Sequence, residues 1–215
     1  MKYLYGDSWE KYRIKDGETW TEAKTGSKVT VCNLINRLPR HMLEADMVYS
    51  DPPWSLGNVN CFVSKAGKDE YLSEFPEFST AFFSRLAEIS PSVCYIEIGK
   101  QNLSLFKSKI AELFPIIQEW EIKYYNKHLC YLLRGGTTPT DYDFSGLDDA
   151  KTPEAAIRIE NPACIADLCT GRGLTTVAAY MLGKKFVGTE LNKRRLAVAI
   201  ERVNNLGGKY ARSVS

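Results

Sequence analysis

The chain has 215 residues, 44% of them hydrophobic and 12% aromatic, which is enough to bury one sizeable core but not two. Its formal net charge of +2 requires no polyanionic partner, so any nucleic-acid surface must come from local clusters of lysine and arginine. The six cysteines contain no CxxC pair and the two histidines lie far apart, which argues against a structural zinc site and predicts no bound metal.

Nothing in the sequence indicates a membrane-bound or exported protein. No apolar run approaches the ~20 residues needed to cross a bilayer, and the N-terminal segment lacks the apolar core of a signal peptide. The sequence therefore predicts a cytoplasmic chain with reduced thiols and no membrane partner.

The first part of the chain leads to a polar site at the end of a short strand. The alternation of residues 19–31 predicts short strands or a hairpin. Residues 33–43 predict a helix, and the apolar strand 45–50 leads directly into Asp51 and two prolines. Residues 55–70 lack a sustained period and predict a long loop beside that polar site.

Helices then alternate with apolar strands, which is typical of an open α/β sheet. Residues 116–126 and 128–135 predict an antiparallel pair of strands. Residues 135–150 are rich in glycine, proline, threonine and aspartate, and they predict a linker or a mobile loop. The other expected elements are the helices 75–89, 103–114, 174–182 and 193–205 and the strands 93–99, 163–169 and 185–192.

The C-terminal part carries the features of a cofactor site. A strand ending at Asp167 feeds the turn 169–173, whose Gly171 and Gly173 let the backbone pass close to a ligand. Glu190 ends the next strand about 20 residues later, where an acidic side chain can accept hydrogen bonds from both ribose hydroxyls. The turn lacks a third glycine, which favours a nucleoside cofactor without phosphates. The alternative is an ordinary tight turn followed by a solvated carboxylate.

The tetrapeptide Asp51, Pro52, Pro53 and Trp54 indicates chemistry on a planar amine. An aromatic amine is a poor nucleophile, and an acceptor for each N–H group frees its lone pair. Asp51 can be one acceptor, and the two prolines hold the Pro52 carbonyl rigidly as the second. Trp54 offers a flat face on which a base can stack. In the alternative interpretation, the prolines end a strand, Trp54 fills the core and Asp51 caps a loop.

These residues resemble the S-adenosylmethionine (AdoMet)-dependent amino methyltransferases of nucleic acids. The catalytic motif of that family is D/N/S-P-P-Y/F/W, and its cofactor motif is similar to the run DLCTGRGLTT that begins at Asp167. Because the catalytic tetrapeptide precedes the cofactor turn, the order is similar to the circularly permuted beta group. The resemblance spans about residues 29–204.

The resemblance implies a Rossmann-like fold, with a mainly parallel seven-stranded sheet that contains one antiparallel strand. It also implies one methyltransferase domain over residues 1–215. Within that domain, residues 1–30 are an N-terminal extension or hairpin, residues 31–134 the catalytic half and residues 151–215 the cofactor-binding half. Residues 135–150 stand where sequence-specific relatives insert a recognition domain.

The same resemblance implies the residues that bind AdoMet. Asn33 stands where the family often carries an acidic residue against the cofactor adenine, and its amide can still bond adenine. Asp7 looks like the same motif but lies too early, so Asn33 is preferred. The implied cofactor-binding residues are Asn33, Asp51, Thr152, Pro153, Asp167, Leu168, Cys169, Thr170, Gly171, Gly173, Thr175, Glu190, Leu191 and Asn192.

Substrate contacts are expected from basic and aromatic side chains near the tetrapeptide. Besides Trp54, these are Lys65, Lys68, Tyr124 and Arg134, where Tyr124 holds the target base and the cations face phosphates. Solvated surface charge and strand packing are the alternatives for the cations and for the tyrosine. The basic run 193–195 is interpreted as solvated surface.

Aspartate at the first motif position resembles the adenine-directed members of the family. The resulting hypothesis is methylation of adenine N6 in DNA by a bacterial or phage-encoded enzyme, with relaxed or partner-dependent specificity because the recognition domain is missing. RNA adenine is an alternative, since the tryptophan ending also occurs in messenger-RNA methyltransferases and single strands need no base flipping. A noncatalytic nucleic-acid-binding subunit is the other alternative. A homodimer would extend the small binding face.

Overall fold

The computed structural model describes residues 8–213, and Asp7, the alternative to Asn33, lies outside this range. Its central feature is one mixed sheet whose neighbouring strands follow the order β5-β6-β4-β3-β7-β8-β2-β1-β9. The strands are β1 (Thr19–Glu22), β2 (Lys28–Val31), β3 (Met47–Ser50), β4 (Val93–Ile98), β5 (Ile116–Tyr124), β6 (His128–Gly136), β7 (Cys164–Asp167), β8 (Lys185–Glu190) and β9 (Tyr210–Arg212).

Helices pack on both faces of the sheet, as the alternation of elements predicts. Two apolar clusters, one on each face, form the core. The helices are α1 (Ser8–Tyr12), α2 (Leu56–Lys65), α3 (Phe75–Ile89), α4 (Leu103–Ala111), α5 (Thr152–Glu160), α6 (Leu174–Met181) and α7 (Lys193–Asn205). No helix within residues 8–213 is long and apolar enough to cross a membrane.

Strand direction explains both the predicted sheet and its extension. From β5 to β2 the seven neighbouring strands contain a single reversed strand, β6, which pairs antiparallel with β4 and β5. This part confirms the predicted mainly parallel sheet. The expected number of strands was wrong, because β1 and β9 extend the β2 edge by antiparallel pairing. Strands β1 and β2 form the hairpin that the alternation of residues 19–31 indicates.

Two local predictions near the polar site were wrong. Residues 33–43 do not form a continuous helix, because Pro39 interrupts the run and only a 3₁₀ helix follows at Arg40–Glu44. The expected loop after the tetrapeptide contains α2, whose N-cap Ser55 accepts a hydrogen bond from the Asn58 N–H group. The buried residues Val59 and Val63 lie one turn apart and fasten this helix to the core.

The loop at residues 135–150 is anchored rather than free. Phe144 is fully buried and packs against Tyr95 and Trp120, with ring centroids 5.4 and 4.9 Å away. Burying a phenylalanine contributes roughly 1.5–3 kcal/mol. At the end of the loop, Asp148 and Asp149 lie against the β5–β6 turn, and α5 begins directly afterwards.

Candidate active site

The carboxyl ends of the parallel strands converge at one edge of the sheet. Asp51 follows β3, Asp167 ends β7 and Glu190 ends β8, while Cys32 follows β2. The chain continues from β3 to β4 on one side and from β7 to β8 on the other, so the strand order reverses between β3 and β7. A crevice forms at such a switch point, and open α/β sheets bind ligands there.

The glycine turn is held in place by the acidic end of β8. Gly171 and Gly173 have φ angles of 57° and 80°, in the left-handed region that favours glycine. The Gly171 N–H group donates to Glu190 Oε2 at 2.7 Å, and the Asn192 N–H group donates to Oε1 at 2.8 Å. Because each carboxylate oxygen has two lone pairs, Glu190 can brace the turn and still accept hydrogen bonds from a ligand.

A second carboxylate ties the two central strands together. Asp167 Oδ1 accepts hydrogen bonds from the Ser50 hydroxyl and from the Cys169 N–H group, both at 2.9 Å. Ser50 Oγ in turn accepts from the Leu168 N–H group at 2.9 Å. Burial raises the pKa of Asp167 to about 6, although these donors counteract the effect. Ser50 therefore couples the end of β3 to the start of the glycine turn.

The tetrapeptide forms an aromatic wall around a carboxylate. The Trp54 indole Nε1–H group donates to Asp51 Oδ1 at 2.9 Å, and the Trp54 ring lies 4.8 Å from the Tyr124 ring between centroids. Gly99 allows the close approach of this indole, since a Cβ atom there would come within 2.9 Å of it. The Asn102 side chain holds the Trp54 carbonyl at 2.8 Å. Asp51 is therefore oriented by its own motif.

The surroundings of Asp51 raise the pKa of its carboxyl group. Burial raises its pKa to about 7, and the charges of Asp167 and Asp149 act in the same direction. The Trp54 hydrogen bond and the charge of Arg195 partly offset this increase. A carboxyl group with a pKa near neutrality can both accept hydrogen bonds and take up a proton.

Two cavities meet at Asp51. The first has a volume of ≈ 300 Å³ and the second ≈ 370 Å³, and their walls share Asp51, Tyr124, Cys169 and Arg195. The first is also lined by Cys32, Asn33, Leu34, Ile35, Pro52, Pro53, Trp54, Asn58, Val59, Phe62, Val63, Phe78, Leu168, Glu190 and Leu191. The second is also lined by Tyr125, Asp149, Asp167, Thr170, Gly171, Arg172, Leu174, Thr175, Val198 and Arg202.

Three of the residues expected to bind the cofactor, Thr152, Pro153 and Asn192, line neither cavity, whereas Asn33 lines the first. Thr152 and Pro153 begin α5 and line neither cavity, and the Thr152 hydroxyl donates to the Asp148 carbonyl at 2.9 Å. Asn192 is the N-cap of α7, and its amide donates to the Lys65 carbonyl at 3.0 Å. Asn33 lines the first cavity, and its amide donates to a Glu70 oxygen at 2.8 Å.

The cations expected to face substrate phosphates have other partners. Lys68 forms an ion pair with Asp16 at 2.8 Å, and the Lys65 ammonium lies 5.8 Å from the Phe62 ring centroid. The prediction that Arg134 faces substrate phosphates was wrong. It is only 3% exposed, and its Nε–H group donates to Glu160 Oε1 at 2.9 Å. It pairs with Tyr95 in the middle of β4 and lines neither cavity.

Three charged side chains near the site were not predicted from the sequence. Arg195 was expected on the solvated surface, but it lines both cavities and its guanidinium lies 4.7 Å from the Phe62 ring centroid. Asp149, from the loop that precedes α5, lines the second cavity and is buried. Glu97 is buried beside this edge, where the Tyr49 hydroxyl donates to its Oε1 at 2.5 Å. Its presence in the apolar strand VCYIEI was the available signal.

The second oxygen of Glu97 is buried without a hydrogen-bond partner in the described part of the chain. Burial and the nearby charge of Asp51 raise the pKa of Glu97 well above its ordinary value. Glu97 therefore favours its neutral form and adds little negative charge beneath Asp51. Within residues 8–213, no group of three or more histidine, cysteine or carboxylate side chains is arranged to hold a metal ion.

Comparison with proteins of known structure identifies the fold of the chain. No protein-family profile matches the chain, and no curated protein matches it. The crystal structure of M1.HpyAVI in complex with SAM matches with a TM-score of 0.56 at 16% identity, covering 82% of this chain and 98% of that one. TTHA0409, described as a putative DNA modification methylase from Thermus thermophilus, matches at 0.56 and 16%, covering 82% and 94%.

The cytosine-N4-specific PvuII DNA methyltransferase has a TM-score of 0.56 at 14% identity, covering 89% of this chain and 95% of its own. At such low identity the likeness concerns the fold. The shared sheet and helices cover most of both chains. The chain therefore has the α/β fold of the AdoMet-dependent methyltransferases.

Proposed function

We propose that this protein transfers a methyl group from AdoMet to the exocyclic amino group of a nucleic-acid base, with N6 of adenine in DNA as the acceptor. The observation that carries the proposal is the position of Asp51, which is oriented by Trp54 at the wall between two cavities. The fold neighbours support the cofactor and the substrate, because M1.HpyAVI and TTHA0409 were crystallised with AdoMet and the PvuII enzyme is a DNA methyltransferase.

The residues around the first cavity fit an adenosine group. Its walls combine apolar side chains with the Asn33 amide and the Glu190 carboxylate, which can bond an adenine edge and ribose hydroxyls. The glycine turn and Asp167 border the second cavity next to it, so the two cavities offer room on both sides of Cys169. Bound AdoMet supplies an electrophilic methyl group on a sulfonium centre.

The tetrapeptide supplies acceptors for the amine. Asp51 Oδ1 is engaged by the Trp54 indole, which leaves Oδ2 to accept one N–H group of the substrate. The rigid Pro52 carbonyl accepts the other, and the two contacts direct the nitrogen lone pair towards the methyl group. After transfer, the surplus proton of the amine passes to Asp51, whose pKa of about 7 lets it release that proton to water.

The two aromatic rings beside Asp51 hold the base. Trp54 and Tyr124 both line the first cavity, and their planes are inclined at 59°. A planar base that contacts either ring gains about 1–3 kcal/mol from stacking. In a duplex the target base must first be flipped out, at a cost of a few kcal/mol.

Replacing Trp54 with phenylalanine tests the orienting hydrogen bond separately from stacking. Trp54→Phe keeps an aromatic face but removes the N–H donor to Asp51. Because a hydrogen bond to a charged group contributes roughly 1.5–3 kcal/mol, we expect the pKa of Asp51 to rise by about one unit or more. The pH profile of kcat/KM should shift upwards correspondingly.

The matched control for this variant is Trp120→Phe. Trp120 packs against Phe144 in the core, so its replacement removes an indole without touching Asp51. An unchanged pH profile in Trp54→Phe would show that the indole N–H group does not orient Asp51. A profile that shifts equally in both variants would show the same.

Whether the substrate is DNA or RNA is tested by comparing the two polymers directly. Initial rates of methyl transfer onto duplex DNA, single-stranded DNA and RNA of matched sequence distinguish DNA from RNA adenine. The RNA alternative is favoured by Trp54, which ends the motif as in messenger-RNA methyltransferases. We expect transfer to DNA, and faster transfer to RNA than to either DNA would overturn the DNA assignment. A purified chain that binds no AdoMet would favour the other alternative, a noncatalytic nucleic-acid-binding subunit.

The arrangement of the chain is part of the proposal. We assign residues 31–134 to the catalytic half and residues 151–215 to the cofactor half, in circularly permuted order. In this proposal the site residues that line the two cavities keep the roles that the resemblance implies, and Lys65 and Lys68 remain proposed phosphate contacts although they have partners within the chain. Thr152, Pro153, Asn192 and Arg134 line neither cavity and are assigned no such role. The short segment 135–150 leaves little surface for reading sequence, so we expect relaxed or partner-dependent specificity.

A further inference from the structure

We propose that Tyr125, Arg172 and Arg202 form a phosphate-binding rim through which the substrate nucleic acid is held beside Asp51. This inference rests on the proposed function and identifies contacts that neither the sequence motifs nor the fold assign. All three side chains line the second cavity, which Asp51 also borders.

The three residues are joined by hydrogen bonds. Arg172 lies within the glycine turn, and its Nη2 group donates to the Tyr125 hydroxyl at 2.8 Å. Arg202 lies on α7, and its Nη1 group donates to the Arg172 carbonyl at 3.0 Å. These contacts bring together the β5–β6 turn, the glycine turn and α7. The rim is therefore a connected structure around one opening.

The guanidinium groups of the two arginines are not taken up by ion pairs. Within residues 8–213, neither Arg172 nor Arg202 forms an ion pair with a carboxylate, whereas Lys68 and Arg134 each do. Burial lowers the pKa of Arg202, and repulsion from the like charge of Arg172 acts in the same direction. A bound phosphate would relieve this repulsion and accept several N–H groups at once.

The tyrosine is held in a fixed position at the opening. Tyr125 and Asn126 have φ angles of 51° and 55°, which are uncommon for residues other than glycine. The segment that replaces a recognition domain stabilises this turn, because Asp149 accepts from the Tyr125 N–H group at 3.3 Å and Asp148 from that of Asn126 at 2.8 Å. The Tyr125 side chain remains 54% exposed and can contact a flanking sugar or base.

The charge distribution of the second cavity matches a nucleotide. Arg172 and Arg202 supply cations at its rim, and Arg195 is a third cation in its lining. The carboxylates of Asp51, Asp149 and Asp167 supply acceptors in its wall. A nucleotide carries an anionic phosphate at one end and, in adenine, an amino group with two donors at the other. Phosphates held at the rim would therefore position the base relative to Asp51.

The salt dependence of nucleic-acid binding, measured without cofactor, tests this rim. Fluorescence anisotropy with a labelled duplex and a labelled single strand would compare the wild type with Arg172→Gln, Arg202→Gln and the double variant. Each lost phosphate contact should reduce the slope of log K against log salt by about 0.9 for duplex and about 0.7 for single strands. For the double variant we expect twice that reduction and at least tenfold weaker binding near 0.1 M salt.

Arg40→Gln is the matched control. It removes an equal charge from an exposed arginine that precedes β3, at the edge of the sheet opposite the cavities. The slope should remain that of the wild type. Thermal unfolding of every variant shows whether the fold is retained.

Titration with AdoMet distinguishes the phosphate from the cofactor carboxylate, which is also an anion. The rim proposal expects an unchanged Kd for AdoMet in the double variant. Weaker AdoMet binding with an unchanged salt slope would overturn it, as would a wild type that binds no nucleic acid. If the wild type binds nucleic acid through the rim but transfers no methyl group, the proposed function fails while the rim stands.

Discussion

Replacing Asp51 with alanine is expected to reduce kcat for methyl transfer roughly a thousandfold, within the range for loss of a positioned acid–base group. The substitution removes the carboxylate that accepts the substrate N–H and takes up its proton. Isothermal titration should show that AdoMet still binds, because Glu190 and the glycine turn are untouched. Undiminished transfer by the variant would show that Asp51 is not the acceptor.

The activity of the wild type should depend on the ionisation of Asp51. Burial raises the pKa of Asp51 to about 7, so the carboxyl group is mostly protonated below that pH. Only the ionised form can accept the indole N–H at Oδ1, accept the substrate N–H at Oδ2 and take up the surplus proton. The value of kcat/KM should therefore fall about tenfold per unit below pH 7 and level off above it. A pH-independent rate between about pH 5.5 and 8 would contradict this role.

Replacing Gly173 with alanine is expected to destabilise the protein by roughly 2–5 kcal/mol. The left-handed φ angle costs a residue with a Cβ atom about 1–2 kcal/mol, and a steric clash in a packed site adds about 1–3 kcal/mol. Here the new Cβ would lie 2.6 Å from the Ala199 Cβ and 3.0 Å from its Cα on α7. Urea denaturation measures the loss, and AdoMet binding should weaken because the turn must shift.

Gly183→Ala separates the two contributions. Gly183 also has a left-handed φ angle, 65°, but a Cβ there would meet nothing within 4 Å. This control should therefore lose only the conformational term, about 1–2 kcal/mol. Equal losses in the two variants would show that close packing of the glycine turn against α7 contributes nothing.

The parts of the site that were predictable from the sequence are those that depend on residues close to each other along the chain. Asp51 follows an apolar strand and is bonded by Trp54, three residues later. Glu190 ends another strand, and parallel strands bring such ends to one edge of a sheet. Local patterns are therefore sufficient to indicate which side chains meet, although not how they bond to each other.

Other features depend on contacts between distant residues. Arg134 resembles a free cation in the sequence, and its partner Glu160 lies 26 residues later on α5. In the basic run 193–195, the helical period does not indicate which of the three side chains faces the site, and the structure shows that Arg195 does. Strand β9 has only three residues, and only Tyr210 is buried. Its sequence is too short to show an apolar alternation that would predict its pairing with β1.

The helix after the tetrapeptide illustrates a weak local signal that tertiary packing decides. Glycine, asparagine, serine and lysine in residues 55–70 favour a loop, yet Val59 and Val63 are spaced as one helical face. Their burial, together with the Ser55 cap, is enough for α2 to form against the first cavity. Helix α2 thus becomes a wall of the site.

Identification of the methylated nucleoside tests the central claim most directly. The purified protein would be incubated with AdoMet labelled in its methyl group and unmethylated duplex DNA, and the DNA digested to nucleosides and separated. We predict label in N6-methyldeoxyadenosine with the wild type and roughly a thousandfold slower labelling with Asp51→Ala. Label in N4-methyldeoxycytidine would contradict adenine as the acceptor. A chain that binds AdoMet yet labels no nucleoside in DNA or RNA would contradict methyl transfer to a base amine.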